Sequence, residues 1–175
     1  MRRVRNDWVR GSASAANTLI EYGDFECPTC GAAYWEVKHL LASFGRELAF
    51  AFRHFPLAEL HPNAELAAEA AEAAGEQGQF WELHDLMFEH QDDLEPASLV
   101  NFAGSLGLDV DRFIAELNQG VYQPAVRRDF MDGVRHGVSG TPTFFVNGER
   151  YAGPPNARGL ERALRGQPPG GAFVW

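Results

Sequence analysis

The spacing of apolar residues changes along the chain, and each change marks an element. Thr18-Leu19-Ile20-Glu21-Tyr22 is a short apolar-rich run that predicts a strand. Behind it Ala32, Ala33, Trp35, Val37, Leu40, Leu41 and Phe44 recur at helical spacing, so a helix should follow. Gly45 punctuates that helix. Glu47 to Arg53 is then almost continuously apolar, as in a strand covered on both faces. Strand, helix, strand in this order predicts a right-handed parallel crossover.

From Pro62 to Gly137 the pattern is helical throughout. Small apolar residues from Ala64 to Ala74 make one helix, and Phe80, Leu83 and Met87 mark the next. Pro96 opens a third, with Leu99, Phe102, Ala103 and Leu106 inward, and Asp109 caps a fourth carrying Phe113, Ile114 and Leu117. A fifth runs through Tyr122, Val126, Phe130 and Val134. Thr143-Phe144-Phe145-Val146 reads as another strand, and Asn147-Gly148 is a hairpin turn returning it through Glu149 to Ala152. Leu160, Ala163 and Leu164 belong to a closing helix. Past Pro168-Pro169-Gly170-Gly171, the end Phe173-Val174-Trp175 is expected to pack on the body or stay disordered.

Composition narrows the class. A chain of 175 residues, 45% hydrophobic, can bury one substantial core, so one domain is expected. Its parts are an arm over 1–16, a core from 17–61 and 138–166, a helical insertion over 62–137, and a tail over 167–175. The net charge of -9 gives nucleic-acid binding no electrostatic support. No apolar run reaches the ~18 residues of a membrane span. Arg2, Arg3, Arg5 and Arg10 read as a solvated arm, and no apolar signal region follows them. The expectation is therefore a cytoplasmic protein, or an extracytoplasmic one if a signal or fusion partner was removed, and the first methionine argues for a free-standing chain.

The chemistry converges on Cys27-Pro28-Thr29-Cys30, which holds both cysteines of the chain between a strand and a helix. Pro28 suits the first helical position, where its missing N–H is harmless. Cys27 is then the N-cap, its sulfur facing the open N–H groups of the first turn, which favours a thiolate. The helix dipole alone lowers a thiol by less than about one unit, so direct hydrogen bonds must supply the rest. Cys27 is expected as nucleophile and Cys30 as the thiol that resolves a mixed disulfide. Their reversible disulfide would be the redox centre, and no Gly-rich fingerprint points to an organic cofactor. A zinc site drawing on His39, His54, His61, His84, His90 or His136 is a competing reading, but no second C-x-x-C or closely spaced histidine pair accompanies the motif. His54 and His61, near the end of the second strand, are the histidines to examine first. No metal is expected. A non-catalytic, redox-sensing binding module is the other alternative.

Two stretches carry a family likeness: Glu21-Tyr22-Gly23-Asp24-Phe25-Glu26-Cys27-Pro28-Thr29-Cys30 and Val138-Ser139-Gly140-Thr141-Pro142-Thr143-Phe144-Phe145-Val146-Asn147-Gly148. With the order of elements between them, the chain resembles the DsbA-like branch of the thioredoxin fold over residues 7–166. It is also similar to thioredoxin-like domains appended to some bacterial sodium/proton antiporters. The resemblance implies an α/β thioredoxin fold, a central mixed sheet flanked by helices, with the helical insertion between the second and third core strands. It implies a thiol:disulfide oxidoreductase that exchanges with peptide or protein thiols and is recycled by a redox partner, as a monomer or weak homodimer. Pro142 would have a cis peptide bond, and Thr141 would face Cys27 beside the path of a substrate strand. Glu21 would be a buried acid accepting the proton of Cys30. Pro28 and Thr29 would tune the thiolate. The histidine found between the cysteines of strongly oxidising members is missing, so a less oxidising protein is expected.

Overall fold

The computed structural model describes residues 7–12 and 14–166. They fall into two compact units. One comprises the described residues up to Tyr22, Ala32–Arg53, and from Pro142 on; the other comprises Gly23–Gly31 and His54–Thr141.

The first unit is built on five strands: β1 (Trp8–Gly11), β2 (Asn17–Gly23), β3 (Leu48–His54), β4 (Thr143–Val146) and β5 (Glu149–Arg150). Their order across the sheet is β1-β3-β2-β4-β5. The β1·β3, β2·β4 and β4·β5 pairs are antiparallel, which leaves β3·β2 as the parallel pair of a mixed sheet. This is the expected crossover, made by α1 (Pro28–Phe44). Every residue of β3 is buried, as its continuous apolar pattern requires. Asn147 and Gly148 have φ of 49° and 91°, the left-handed pair that a two-residue hairpin turn needs. α7 (Ala157–Leu164) buries Leu160 and Leu164, and its Ala157 N–H donates to Glu36 of α1 at 2.6 Å.

Three expectations change here. The arm is not all solvated: Trp8–Gly11 is an edge strand paired with β3 from Trp8↔Phe52 to Gly11↔Ala49. A four-residue strand containing an arginine shows no period of its own, and its partner lies about forty residues on. Trp35 is 55% exposed rather than inward, because it stands opposite Ala33, Val37 and Leu40 on α1. The last strand stops at Arg150, since Tyr151 still donates its N–H to Phe144 but turns its hydroxyl onto the Pro154 carbonyl. The arginines at positions 2, 3 and 5 and the Phe173-Val174-Trp175 end lie outside the described residues.

The second unit is helical: α2 (Ala64–Glu76), α3 (Phe80–Glu89), α4 (Pro96–Ser105), α5 (Val110–Asn118) and α6 (Gln123–Arg135). Alanines 67, 68, 70, 71, 73 and 74 of α2 are all buried, and it packs on α3, α4, α5 and α6. A helix buried on most of its circumference belongs at the centre of a bundle. Asp109 caps α5 by accepting the Arg112 N–H at 3.0 Å. In α6 the buried face is Tyr122, Val126, Asp129 and Gly133, while Val134 is exposed. A strict four-residue step drifts by about 40° per repeat and leaves the face before Val134. Gly23–Gly31 and His54–His61, expected in the core, group instead with these helices.

Candidate active site

The site grows from the start of α1. Pro28 is the first helical residue, and the Gly31 N–H donates to the Cys27 carbonyl at 3.1 Å, which makes Cys27 the N-cap. Both cysteines are unbridged; Cys27 is 6% exposed and Cys30 is fully buried. The Thr29 hydroxyl lies 3.0 Å from Cys27 Sγ and 3.2 Å from the Thr141 carbonyl. The Cys27 thiol itself donates to that carbonyl at 3.5 Å. One hydroxyl proton thus has two acceptors, and it turns to the sulfur once the sulfur is charged.

The Cys27 pKa is lowered from 9.0 to about 4. The hydrogen bond from the Cys30 side chain is the largest cause; burial opposes it; the Thr141 and Thr29 side chains and the Cys30 backbone N–H add to it. The Cys30 N–H is the donor that an N-cap side chain ordinarily takes, three positions into the helix. Thr141 Oγ1 is buried and makes no hydrogen bond to any group other than the sulfur, so its proton is held ready for the thiolate. All of these donors are neutral, with no imidazolium among them. Four of them together suffice to bring it to about 4.

Behind the sulfur, the loop is tied down by Asp24, Glu26 and Gln91, to which the sequence alone assigns no role, and by His61, one of the two histidines marked for attention. Asp24 accepts the Glu26 N–H through Oδ1 at 2.9 Å, and through Oδ2 the Leu57 N–H at 2.8 Å and His61 Nδ1 at 2.7 Å. Burial pulls His61 down, but the bond to Asp24 and the charges of Asp24, Cys27 and Glu26 outweigh it and raise its pKa. Glu26 holds the start of α2 through the Asn63 backbone N–H at 2.6 Å and the Asn63 side chain at 2.9 Å. Gln91 Nε2 donates to the carbonyls of Phe25 and Cys27 at 2.8 and 2.7 Å. The Asp24-to-Glu26 contact is an Asx turn, legible as an aspartate ending a strand. Nothing local marks Gln91.

Pro142 follows Thr141 directly and precedes β4. Glu21 is 2% exposed in β2, in register with Phe144. His54 Nε2 lies 3.0 Å from Glu72, and its backbone N–H donates to Asp129 at 3.3 Å. Among the described residues, His54, Glu72 and Asp129 form the group whose geometry could hold a metal ion, their ligand atoms within 4.8 Å of one another. Neither cysteine belongs to it. His54 already bonds both acids, Glu72 through its ring and Asp129 through its backbone N–H, and burial raises the Asp129 pKa, partly offset by His54 and Arg128. Among the described residues no helix is long and apolar enough to cross a membrane.

Comparison with known proteins agrees with this architecture. The chain superposes on a thioredoxin-like oxidoreductase from Silicibacter pomeroyi DSS-3 with a TM-score of 0.83 at 23% identity, covering 93% of this chain and 92% of that one. For oxidised BdbD from Bacillus subtilis the TM-score is 0.82 at 21% identity, covering 90% of each chain. The fold is therefore that of the DsbA-like proteins. In sequence the chain is 48% identical over 158 residues to Na(+)/H(+) antiporter NhaA 3 of Salinispora tropica, covering 90% of this chain and 24% of that protein. For the NhaA of Herminiimonas arsenicoxydans the identity is 43%, covering 90% and 25%. The chain thus spans about a quarter of the length of these curated relatives. The family model described as thioredoxin matches residues 3–165, and the chain belongs to that family.

Proposed function

We propose that the protein is a thiol:disulfide oxidoreductase acting on peptide or protein thiols through Cys27-Pro28-Thr29-Cys30. The observation that carries this reading is the Cys27 sulfur, acidified to about 4 at a helix N-terminus with Cys30 hydrogen-bonded to it. A substrate thiolate attacks Cys27 Sγ of the Cys27–Cys30 disulfide; the S–S bond breaks and Cys30 leaves with the electron pair. A second substrate thiolate then attacks the mixed disulfide, forms the product disulfide and releases Cys27 as a thiolate. The low pKa makes Cys27 a good leaving group and stabilises the reduced protein, which favours the oxidising direction. The disulfide is regenerated by exchange with a redox partner, with no organic cofactor or metal.

Glu21, buried in β2, is the proposed acceptor of the Cys30 proton, and Thr141 with a cis Pro142 the proposed edge for a substrate strand. The proposal retains a cytoplasmic location. Its test is the equilibrium potential of the cysteine pair in glutathione buffers. A value above about -200 mV supports the oxidant and speaks for an oxidising compartment; a value below about -250 mV supports a cytoplasmic reductase. Cys27→Ser should lose exchange altogether, and Cys30→Ser should accumulate mixed disulfides. If no disulfide forms at any potential, the reading fails.

A further inference from the structure

A cavity of about 930 Å³ opens on the helical unit, bounded by the loop after β3, by α2 and by α6. Leu57 and Leu60 line it from the loop, and Pro124, Phe130 and Met131 from α6. Leu60 is 73% exposed and Met131 41%. Large apolar side chains left open beside a cavity mark a surface that something covers.

The charges around this apolar floor are mostly of one sign. Glu59, Glu65 and Glu69 line it, against the single guanidinium of Arg127. Glu69 is only 6% exposed, and its Oε2 has no hydrogen-bond partner. Burial raises its pKa, a hydrogen bond from Gln123 lowers it, and the nearby Glu65 raises it further. A buried carboxyl oxygen without a donor is completed by a cationic one, which supplies charge and hydrogen bond together.

The groove is also joined to the redox loop. Leu57 and His61 both bond to Asp24 Oδ2, and the Leu60 and His61 N–H groups turn back onto the Leu57 carbonyl at 2.8 and 2.9 Å. The segment bearing Leu60 is therefore held by the same carboxylate that orders the residues before Cys27.

We infer that this groove binds an extended segment of a partner polypeptide in which arginine or lysine stands among large apolar residues. Resting on the exchange reading above, that polypeptide is the one whose cysteines react at Cys27. Its aliphatic side chains cover Leu60, Phe130 and Met131, and its cation reaches the acidic rim and Glu69.

The test uses the full chain and two fluorescent, cysteine-free peptides of about a dozen residues, equal in leucine, one carrying arginines and the other glutamates. The arginine peptide should bind about tenfold tighter or more, a difference of one good charge contact. Glu69→Gln should bring the ratio towards one. So, independently, should Glu59→Gln combined with Glu65→Gln, both on the exposed rim. Leu60→Ser should weaken both peptides. Equal binding of the two peptides, or none, overturns the inference. Exchange with dithiothreitol is followed in the same samples. A protein that exchanges but does not distinguish the peptides loses the groove and keeps the redox reading. One that distinguishes them but never exchanges loses the redox reading and keeps the groove as a polypeptide site.

Discussion

Each unit hides an ionised group, and the two are held in opposite ways. In the sheet unit Arg53 is 1% exposed and meets Asp7 as a fork, Nε to Oδ1 at 2.9 Å and Nη2 to Oδ2 at 2.8 Å. Its Nη1 donates to the Tyr22 hydroxyl at 2.9 Å. Burial works against the guanidinium, but Asp7 and Tyr22 overcome it and raise its pKa. In the helical unit, hydrogen-bond donors acidify Cys27. A fixed counter-ion makes a charge permanent. Neutral donors stabilise a charge that can still leave as a covalent bond, because none of them becomes an unpaired ion when the sulfur is spent. The first arrangement holds a fold together, and the second suits exchange chemistry.

Removing one partner from each site breaks the comparison in different currencies. Asp7→Ala strands a buried guanidinium and should lower unfolding stability by about 3–5 kcal/mol, read by urea titration, with the Cys27 pKa unchanged. The thiolate adds a pH dependence that the ion pair lacks. Its pKa is below that of the unfolded thiol, so between about 4 and 9 the unfolded chain binds the proton and the native one does not. Stability of the reduced protein relative to Cys27→Ala should therefore rise with pH across that window. The contribution is complete above pH 9 and gone below about 4; a flat difference would sink the assignment. Thr29→Val removes one donor to a charged group, about 1.5 kcal/mol. The thiolate absorbance midpoint should rise by about one unit, and the potential should fall by about 30 mV. Asp109→Ala, which touches neither site, should cost about 1 kcal/mol of stability and leave the potential alone.

The same contrast explains what was legible in the sequence. Elements with their own period, such as β2, β3 and α2, and signals with a local mechanism, such as Pro28, Asp109 and Asn147-Gly148, are readable from the chain itself. So was the N-cap geometry of Cys27, since three adjacent residues dictate it. β1 was not, because its strand character comes from pairing with Ala49–Phe52 and from the Asp7–Arg53 fork. The Asp24 and Gln91 contacts were hidden for the same reason. Asp24 reaches His61 and Gln91 reaches the Cys27 carbonyl across 37 and 64 positions. Trp35 misled because helical spacing alone does not say which side of a stripe meets the core.

Gly31 shows what this means for redesign. A Cβ there would overlap the side-chain amide of Gln91, which braces the Phe25 and Cys27 carbonyls. Alanine is the better helix former by about 1 kcal/mol, but the two Gln91 hydrogen bonds it would disturb are worth about as much or more, so Gly31→Ala should bring no gain in thermostability. The added methyl would push Gln91 aside and loosen the backbone under the sulfur, so a screen for turnover would discard it. Retuning the potential therefore has freedom at Pro28 and Thr29, between the cysteines, and almost none one residue past them.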